Sequence, residues 1–335
     1  MKYKYKELQG FLMDFISFFL YNLVGDFMLR ITKNISEANL ITHSGKFHAD
    51  DVFSTAFMSE VVSSPVVCRT NIVSDEASFD AIIYDVGFGK FDHHQKEFDS
   101  RHDSGVKYAS FGLLFKEYGL SYLEKINSEY ASTIYSMLEH DLIEGIDAVD
   151  NGEFPVIEAP FSYKSFDSII GDFNAVWNED VDNDIYFMEA VSVAKKILEC
   201  NIKRCLAKAQ AKSIVEEAIS NSKDHIMILE EYMPFKDFVI TSNNPIASDI
   251  YFCITPSNRG GYCIHTIPKG KNTFETRCDF PRSWGGLIDL ELQQVSGVKS
   301  ASFCHSSLFL AVCGELSDAY LMANLAIADN NIEEK

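Results

Sequence analysis

The stretch His43-Ser44-Gly45-Lys46-Phe47-His48-Ala49-Asp50-Asp51 puts two imidazoles and two carboxylates on one turn. Three further stretches offer matching groups: Asp85, the triplet Asp92-His93-His94, and the pair Asp147 and Asp150. Carboxylate and imidazole donors with no thiolate among them suit manganese or magnesium better than structural zinc. Two cations ~3.5–4 Å apart need a bridging carboxylate, several terminal ligands and a shared water that can lose a proton near neutral pH. The expected arrangement has His43, His48 and Asp85 on one ion, and Asp50, Asp85, His93 and Asp150 on the other. Asp85 is the expected bridge, and Asp50 and Asp85 are the carboxylates on which turnover would hang. His94 is left to face substrate and donate to a phosphate oxygen as charge builds. Asp147 lies about one helical turn from Asp150, so either could be the last ligand.

These groups need elements that aim them inward. From Leu40 to Asn151 short apolar runs alternate with helical segments, the pattern of a mainly parallel α/β sheet. Strands are expected at 40–42, 66–69 and 81–84, and helices at 52–62, 110–118, 130–138 and 142–149. His43 to Asp51 and Asp85 then fall at carboxyl ends of strands, where ligands collect in open α/β sheets. An apolar 3.6-residue pattern from Tyr186 to Ser220 predicts one long connecting helix. Strands at 226–229, 238–240, 250–255, 262–267 and 302–310, and a helix at 316–328, predict a smaller C-terminal α/β domain. The expected boundaries are 1–38 for an N-terminal extension of open status, 39–188 for the catalytic domain, 189–222 for the connecting helix and 223–330 for the C-terminal domain.

A formal charge of −20 and a pI near 4.8 argue against a general nucleic-acid coat protein, which would need clustered Lys and Arg. Bound divalent cations would offset the repulsion of a phosphate-bearing substrate locally. The eight cysteines are scattered, with no C-x-x-C pair, and read as reduced and mostly buried, so a cytoplasmic protein is expected. Phe11 to Leu29 superficially imitates a signal peptide, but Asp14 and Asp26 interrupt it, and they weigh equally against a membrane span. It is read as an added helix, or as a sign that Met28 is the true initiator.

The ordered set from Thr42 to Asp51, with Asp85-Val86-Gly87, Phe91-Asp92-His93-His94-Gln95 and Asp147-Ala148-Val149-Asp150-Asn151-Gly152, resembles the melanocyte proliferating gene family, a branch of the DHH phosphoesterase superfamily. The likeness runs on through Lys107 to Gly112, Asp172-Phe173-Asn174-Ala175-Val176-Trp177, Phe280-Pro281-Arg282-Ser283-Trp284 and Phe303-Cys304-His305. It implies a DHH-type fold, two Mn2+ ions with Mg2+ as the alternative, and phosphoester hydrolysis. For eukaryotic members it implies 3′-to-5′ exonuclease activity on RNA, so a single-stranded RNA or short oligonucleotide is the expected partner. Two departures bear on substrate binding. Ala311-Val312-Cys313-Gly314-Glu315 stands where the family carries Gly-Gly and basic residues, and Trp284-Gly285-Gly286-Leu287 where it reads Trp-Arg-Gly-Leu.

Arg277, Arg282, His305 and Ser306 are the candidates for holding a terminal phosphate or base, with Lys107 and Arg69 weaker ones. The leading expectation is a two-metal phosphoesterase using a metal-bridging hydroxide. A small-molecule nucleotide or pyrophosphate phosphohydrolase is the second reading, and an inactive metal-occupied RNA- or nucleotide-binding protein the third. Oligomeric state is left open.

Overall fold

Four short strands line up in parallel, and the two inner ones are buried at every residue, the mark of a sheet covered on both faces. They are β1 (Arg30–Thr32), β2 (Leu40–Thr42), β3 (Val66–Arg69) and β4 (Ile82–Ile83), in the order β1-β3-β2-β4. The register pairs Arg30 with Val66, Leu40 with Val67 and Leu40 with Ile82. β1 lies ahead of the point where the regular apolar pattern begins in the sequence, and it adds an edge to the sheet. This computed structural model describes residues 29–153 and 158–333, so the apolar N-terminal stretch to Met28 lies outside the described residues.

Helix α1 (Ala49–Val61) is buried from Ala49 through Ser59. Phe57 packs edge-on or tilted against Phe115 (5.5 Å) and Tyr122 (5.6 Å) of α2 (Ser110–Ile126), and Phe53 against Phe111 (5.7 Å). α2 runs past Tyr118, its expected end. Next come α3 (Ala131–Leu138), a π-helical turn (Glu139–Ile143) and α4 (Glu144–Asp150), without a break. The wider turn re-phases the helix, so that Ile146 and Asp147 face inward. A short α5 (Phe166–Gly171), not anticipated from the sequence, precedes α6 (Asn183–Ser220), the long helix.

The chain divides into two compact units between Cys205 and Leu206, inside α6. The second contains β5 (Ile226–Ile228), α7 (Lys236–Thr241), β6 (Phe252–Pro256), β7 (Tyr262–Thr266), α8 (Asp289–Ser296), β8 (Ala301–Cys304), β9 (Leu310–Cys313) and α9 (Leu316–Glu333). The sheet order is β5-β6-β7-β9-β8, parallel only between β5 and β6. Alternation along β6 serves both faces: Phe252 and Ile254 join a cluster with Trp284, Leu292 and Met322, and Cys253 joins one with Val215, Phe235 and Val239.

Two expectations are corrected here. Residues 238–240 are helical, not a strand: Phe235 and Val239, four apart, are the buried pair, so the period is helical despite the β-branched residues. Residues 302–310 are two strands, because the chain reverses over His305 to Leu308, with Leu308 N–H donating to His305 O (2.9 Å) and His305 N–H to Leu310 O (2.8 Å). Among the described residues no helix is long and apolar enough to cross a membrane.

The hairpin from β6 to β7 turns on Gly260 (φ +91°) and Gly261 (φ +73°). A β-carbon on Gly261 would lie 2.2 Å from the Cys313 carbonyl oxygen, whereas one on Gly260 would meet nothing within 4 Å. Gly260→Ala should therefore cost only the left-handed backbone, about 1 kcal/mol. Gly261→Ala should cost about 2–4 kcal/mol, with strand pairing to β9 disturbed as well. Urea unfolding of the two variants checks the order; equal losses would contradict it.

Candidate metal centre

The loop 43–48 leaves the end of β2 and enters α1, so His43 and His48 stand on the loop while Asp50 and Asp51 occupy the first turn of the helix. Partial positive charge at a helix N-terminus favours carboxylates there. His48 N–H donates to Asp51 Oδ1 (2.8 Å), which caps the helix and turns the other carboxylate oxygen toward His43 Nε2 at 3.2 Å. Asp50 points the opposite way and accepts the N–H groups of Ser110 (3.0 Å) and Phe111 (2.7 Å) at the start of α2.

Asp85 follows β4 in the left-handed region (φ 56°), a strained backbone for a non-glycine residue. Its carboxylate spans two sets of donors: Oδ2 lies 3.3 Å from His43 Nε2, and Oδ1 lies 3.4 Å from His94 Nδ1 and 3.8 Å from His93 Nδ1. Asp92 accepts the N–H groups of Phe88 (2.7 Å) and His94 (3.0 Å), and His94 Nδ1 lies 2.9 Å from the same carboxylate. His93 Nε2 is 2.9 Å from Asp150 Oδ2.

Three sets thus have one potential ligand atom per residue within 4.8 Å of one another: His43, His48 and Asp51; Asp50, His93 and Asp150; and Asp85, Asp92, His93 and His94. His93 belongs to two of them. Asp147, the alternative to Asp150, instead lies 2.8 Å from His102 Nε2 and accepts the Gly112 N–H (3.2 Å). A β-carbon on Gly112 would fall 1.9 Å from Asp147 Oδ2, so only glycine lets this carboxylate in. The sequence reading passed over Asp51 and His102. Asp51 could have been found from its place three residues after His48 at a helix start, a spacing that folds the side chain back over the loop. His102 carries no motif.

The electrostatics fit a cation. Burial, then the charges of Asp150, Asp85 and Asp147, push Asp50 well above the usual carboxylate range, against the Phe111 N–H. Burial also raises Asp85, with His43 offsetting it only in part. His43 is pushed up to about 10, since Asp51 and Asp85 outweigh the burial that disfavours its charged form. Asp85 Oδ1 and Asp51 Oδ2 are buried with no hydrogen-bond partner. Orphaned carboxylate oxygens facing imidazoles are the donor set that a hard divalent ion completes.

The phosphate candidates are placed differently. Arg69 is buried, with Nη1 on Asp184 (2.8 Å), Nη2 on Gly45 O (2.8 Å) and its plane over the Phe187 ring (4.3 Å), so it holds the loop from behind and has no fork to offer a phosphate. Arg277 Nη1 donates to Ala247 O (2.5 Å) and Ile250 O (2.9 Å), which makes it an anchor of the second unit. Lys107 is half-buried, its backbone tied to Glu153 and Asn151. Arg282 and Ser306 are exposed on neighbouring turns, where Gly286 N–H bonds Cys304 O (3.0 Å), and His305 Nδ1 accepts the Ser307 N–H (3.0 Å).

The family model MYG1_exonuc, described as an uncharacterised protein family (UPF0160), matches residues 39–327. The MYG1 protein of Dictyostelium discoideum is 28% identical over 334 residues, covering 86% of this chain and 96% of its own. The MYG1 exonuclease of Homo sapiens is 26% identical over 335 residues, covering 90% and 88%. Among solved structures, the pGpG-specific phosphodiesterase PggH from Vibrio cholerae aligns over 88% of this chain and 98% of its own at 11% identity, with a TM-score of 0.26, too low to bear on fold or function.

A ligating imidazole must be neutral, and His43 is charged below about 10. A cation must therefore expel protons to bind, and competition falls as pH rises. Mn2+ affinity should increase between pH 6 and pH 8, by about tenfold per unit for each proton displaced. Calorimetric titration in buffers of differing ionisation enthalpy measures this; a pH-independent affinity would falsify the assignment.

Proposed function

The chain belongs to the MYG1_exonuc family, and on that premise we propose that it is a metal-dependent phosphoesterase that shortens RNA or small oligonucleotides from the 3′ end. One observation carries this reading: the Asp85 carboxylate stands between His43 on one side and His93 and His94 on the other, with one oxygen buried and unpartnered. His43, His48, Asp51 and Asp85 would hold one cation, and Asp50, Asp85, His93 and Asp150 the second, most suitably Mn2+, with Mg2+ as the alternative. When bound, such ions supply Lewis-acid stabilisation of the phosphoryl oxygens and a water acidic enough to ionise near neutral pH.

The side chains do the rest. Asp92 stays below the usual carboxylate range because, against its burial, the N–H groups of His94 and Phe88 stabilise the charge. That ionised group holds Nδ1 of His94, whose side chain is 57% exposed, and so orients the ring; in the imidazolium form its Nε2–H would donate to a phosphate oxygen. Arg282, His305 and Ser306 are the remaining polar side chains suited to a terminal phosphate or base. Arg69 and Arg277 are committed internally and the net charge is −20, which disfavours a long backbone, favours short substrates and leaves nucleotides and pyrophosphate as the second reading. We place the protein in the cytoplasm, where its eight cysteines would stay reduced.

The test is a Mn2+-supplemented panel of single-stranded RNA and DNA, dinucleotides, nucleoside bisphosphates and pyrophosphate, run beside Asp85→Asn. Cleavage of RNA or a short oligonucleotide is expected, lost in the variant by more than the roughly 100-fold that removal of an outer partner costs. Full turnover by Asp85→Asn would dismiss the mechanism, and activity on pyrophosphate alone would select the second reading.

A further inference from the structure

The loop 43–48 carries two of the imidazoles, and its backbone is gripped by side chains from elsewhere. Ser44 N–H donates to Asn71 Oδ1 (3.0 Å), and Gly45 O accepts from Arg69 Nη2 (2.8 Å) and from Asn183 Nδ2 (2.8 Å). The grip on Phe47, the residue next to His48, takes both of its backbone polar groups. Asn174 Oδ1 accepts the Phe47 N–H (3.0 Å), and Asn174 Nδ2 donates to the Phe47 carbonyl (2.9 Å). One carboxamide thus meets both polar groups of one residue, as a neighbouring strand would. Asn174 is itself braced: its Oδ1 accepts from Asn183 Nδ2 (3.0 Å), and its Nδ2 also donates to Gly171 O (3.2 Å). The Phe47 ring is buried against Phe187 (centroids 5.6 Å), so side chain and backbone of this residue are both fixed.

The segment that supplies Asn174 is not folded to bury apolar surface. Trp177 is 95% exposed and Val176 54%, while the amide three residues earlier is turned inward. An indole in water and a carboxamide against a metal-bearing loop reverse what burial alone selects.

We propose that Asn174 is a positioning residue of the metal centre, fixing Phe47 so that His48 and His43 are presented in ligating register. The inference rests on the two-metal reading, since it assigns a purpose to the shape of that loop. Asn183 serves the same end through Gly45, and the stretch Asp172 to Trp177, which the ligand set leaves without a role, becomes the outer shell of the centre. Outer partners of this kind govern affinity because a mobile ligand loop must be ordered anew at each binding event.

Asn174→Ala removes the whole grip, and Asn174→Asp keeps the acceptor while losing the donation to the Phe47 carbonyl. Two readouts apply to both: titration with Mn2+ alone, and hydrogen exchange across residues 44–48 in chelator. Asn330→Ala, which removes a comparable two-bond asparagine in the second unit, controls for a general loss of stability. The expected result is a 10–100-fold weaker Mn2+ affinity in Asn174→Ala, a smaller loss in Asn174→Asp, and faster exchange in both, with neither change in Asn330→Ala. Unaltered exchange across 44–48 overturns the clamp whether or not metal binds. Unaltered Mn2+ affinity beside a metal-binding wild type overturns the positioning role alone. A wild type that binds no Mn2+ overturns the two-metal reading with it.

Discussion

Asp50, Asp51, Asp85, Asp92 and Asp147 are all buried, and all lie in the first of the two units. A carboxylate taken out of water must find donors, share a proton or meet an opposite charge. Two of the five are met internally, Asp92 by backbone N–H groups and Asp147 by His102 and Gly112, while Asp50 takes one N–H on each oxygen from the start of α2 and stays beside Asp150 and His93. Asp85 and Asp51 each keep one buried oxygen with no hydrogen-bond partner. Among the described residues these two oxygens are where the unit is electrostatically incomplete, that of Asp51 facing His43 and that of Asp85 facing His94 and His93.

That distribution explains much of the local architecture. Two helix N-termini serve the cluster: α1 bears Asp50 and Asp51 in its first turn, and α2 offers its free N–H groups to Asp50. β4 ends where Asp85 enters the left-handed region, which costs backbone energy and turns its carboxylate across the sheet edge. The π-helical turn before α4 sets the phase that sends Asp147 into the interior while Asp150, one turn on, stays beside His93. Behind the loop, the Arg69 guanidinium sits between Asp184 and Gly45 O, a buried charge neutralised by a partner within hydrogen-bond reach.

The parallel unit was legible in the sequence because its signals are local. Leu40–Thr42 and Val66–Arg69 are short apolar runs ending in turn residues, and both are strands at those bounds. The His/Asp turn and Asp-His-His were legible because ligand chemistry restricts residue types. Asp51 was not, since adjacent carboxylates on a helix point in different directions and only the fold says which way each faces. Residues 238–240 misled because β-branched residues suggest a strand where burial of Phe235 and Val239 makes a helix. Arg69 and Arg277 misled for a related reason: a guanidinium in a sequence shows its charge and not its partner. Asn174 was visible as a residue but not as a clamp, because its two bonds span 127 positions.

The charge balance links the centre to the class of substrate. A chain of net charge −20 repels polyanions at long range, and screening leaves only the last Debye length, ~8 Å, for attraction to act. Two divalent cations would contribute +4 at one point, while the two arginines that might have extended a positive track are turned to Asp184 and to backbone carbonyls. On the proposed reading, attraction concentrated at the cations would favour the end of a substrate over its length, because each further phosphate adds repulsion from a chain of net charge −20. A terminal phosphodiester, or a molecule hardly longer than one, is the substrate that the proposed centre would admit at least cost. On the proposed reading, the exposed edge of His94 beside Asp92 would meet the one phosphate that reaches the centre.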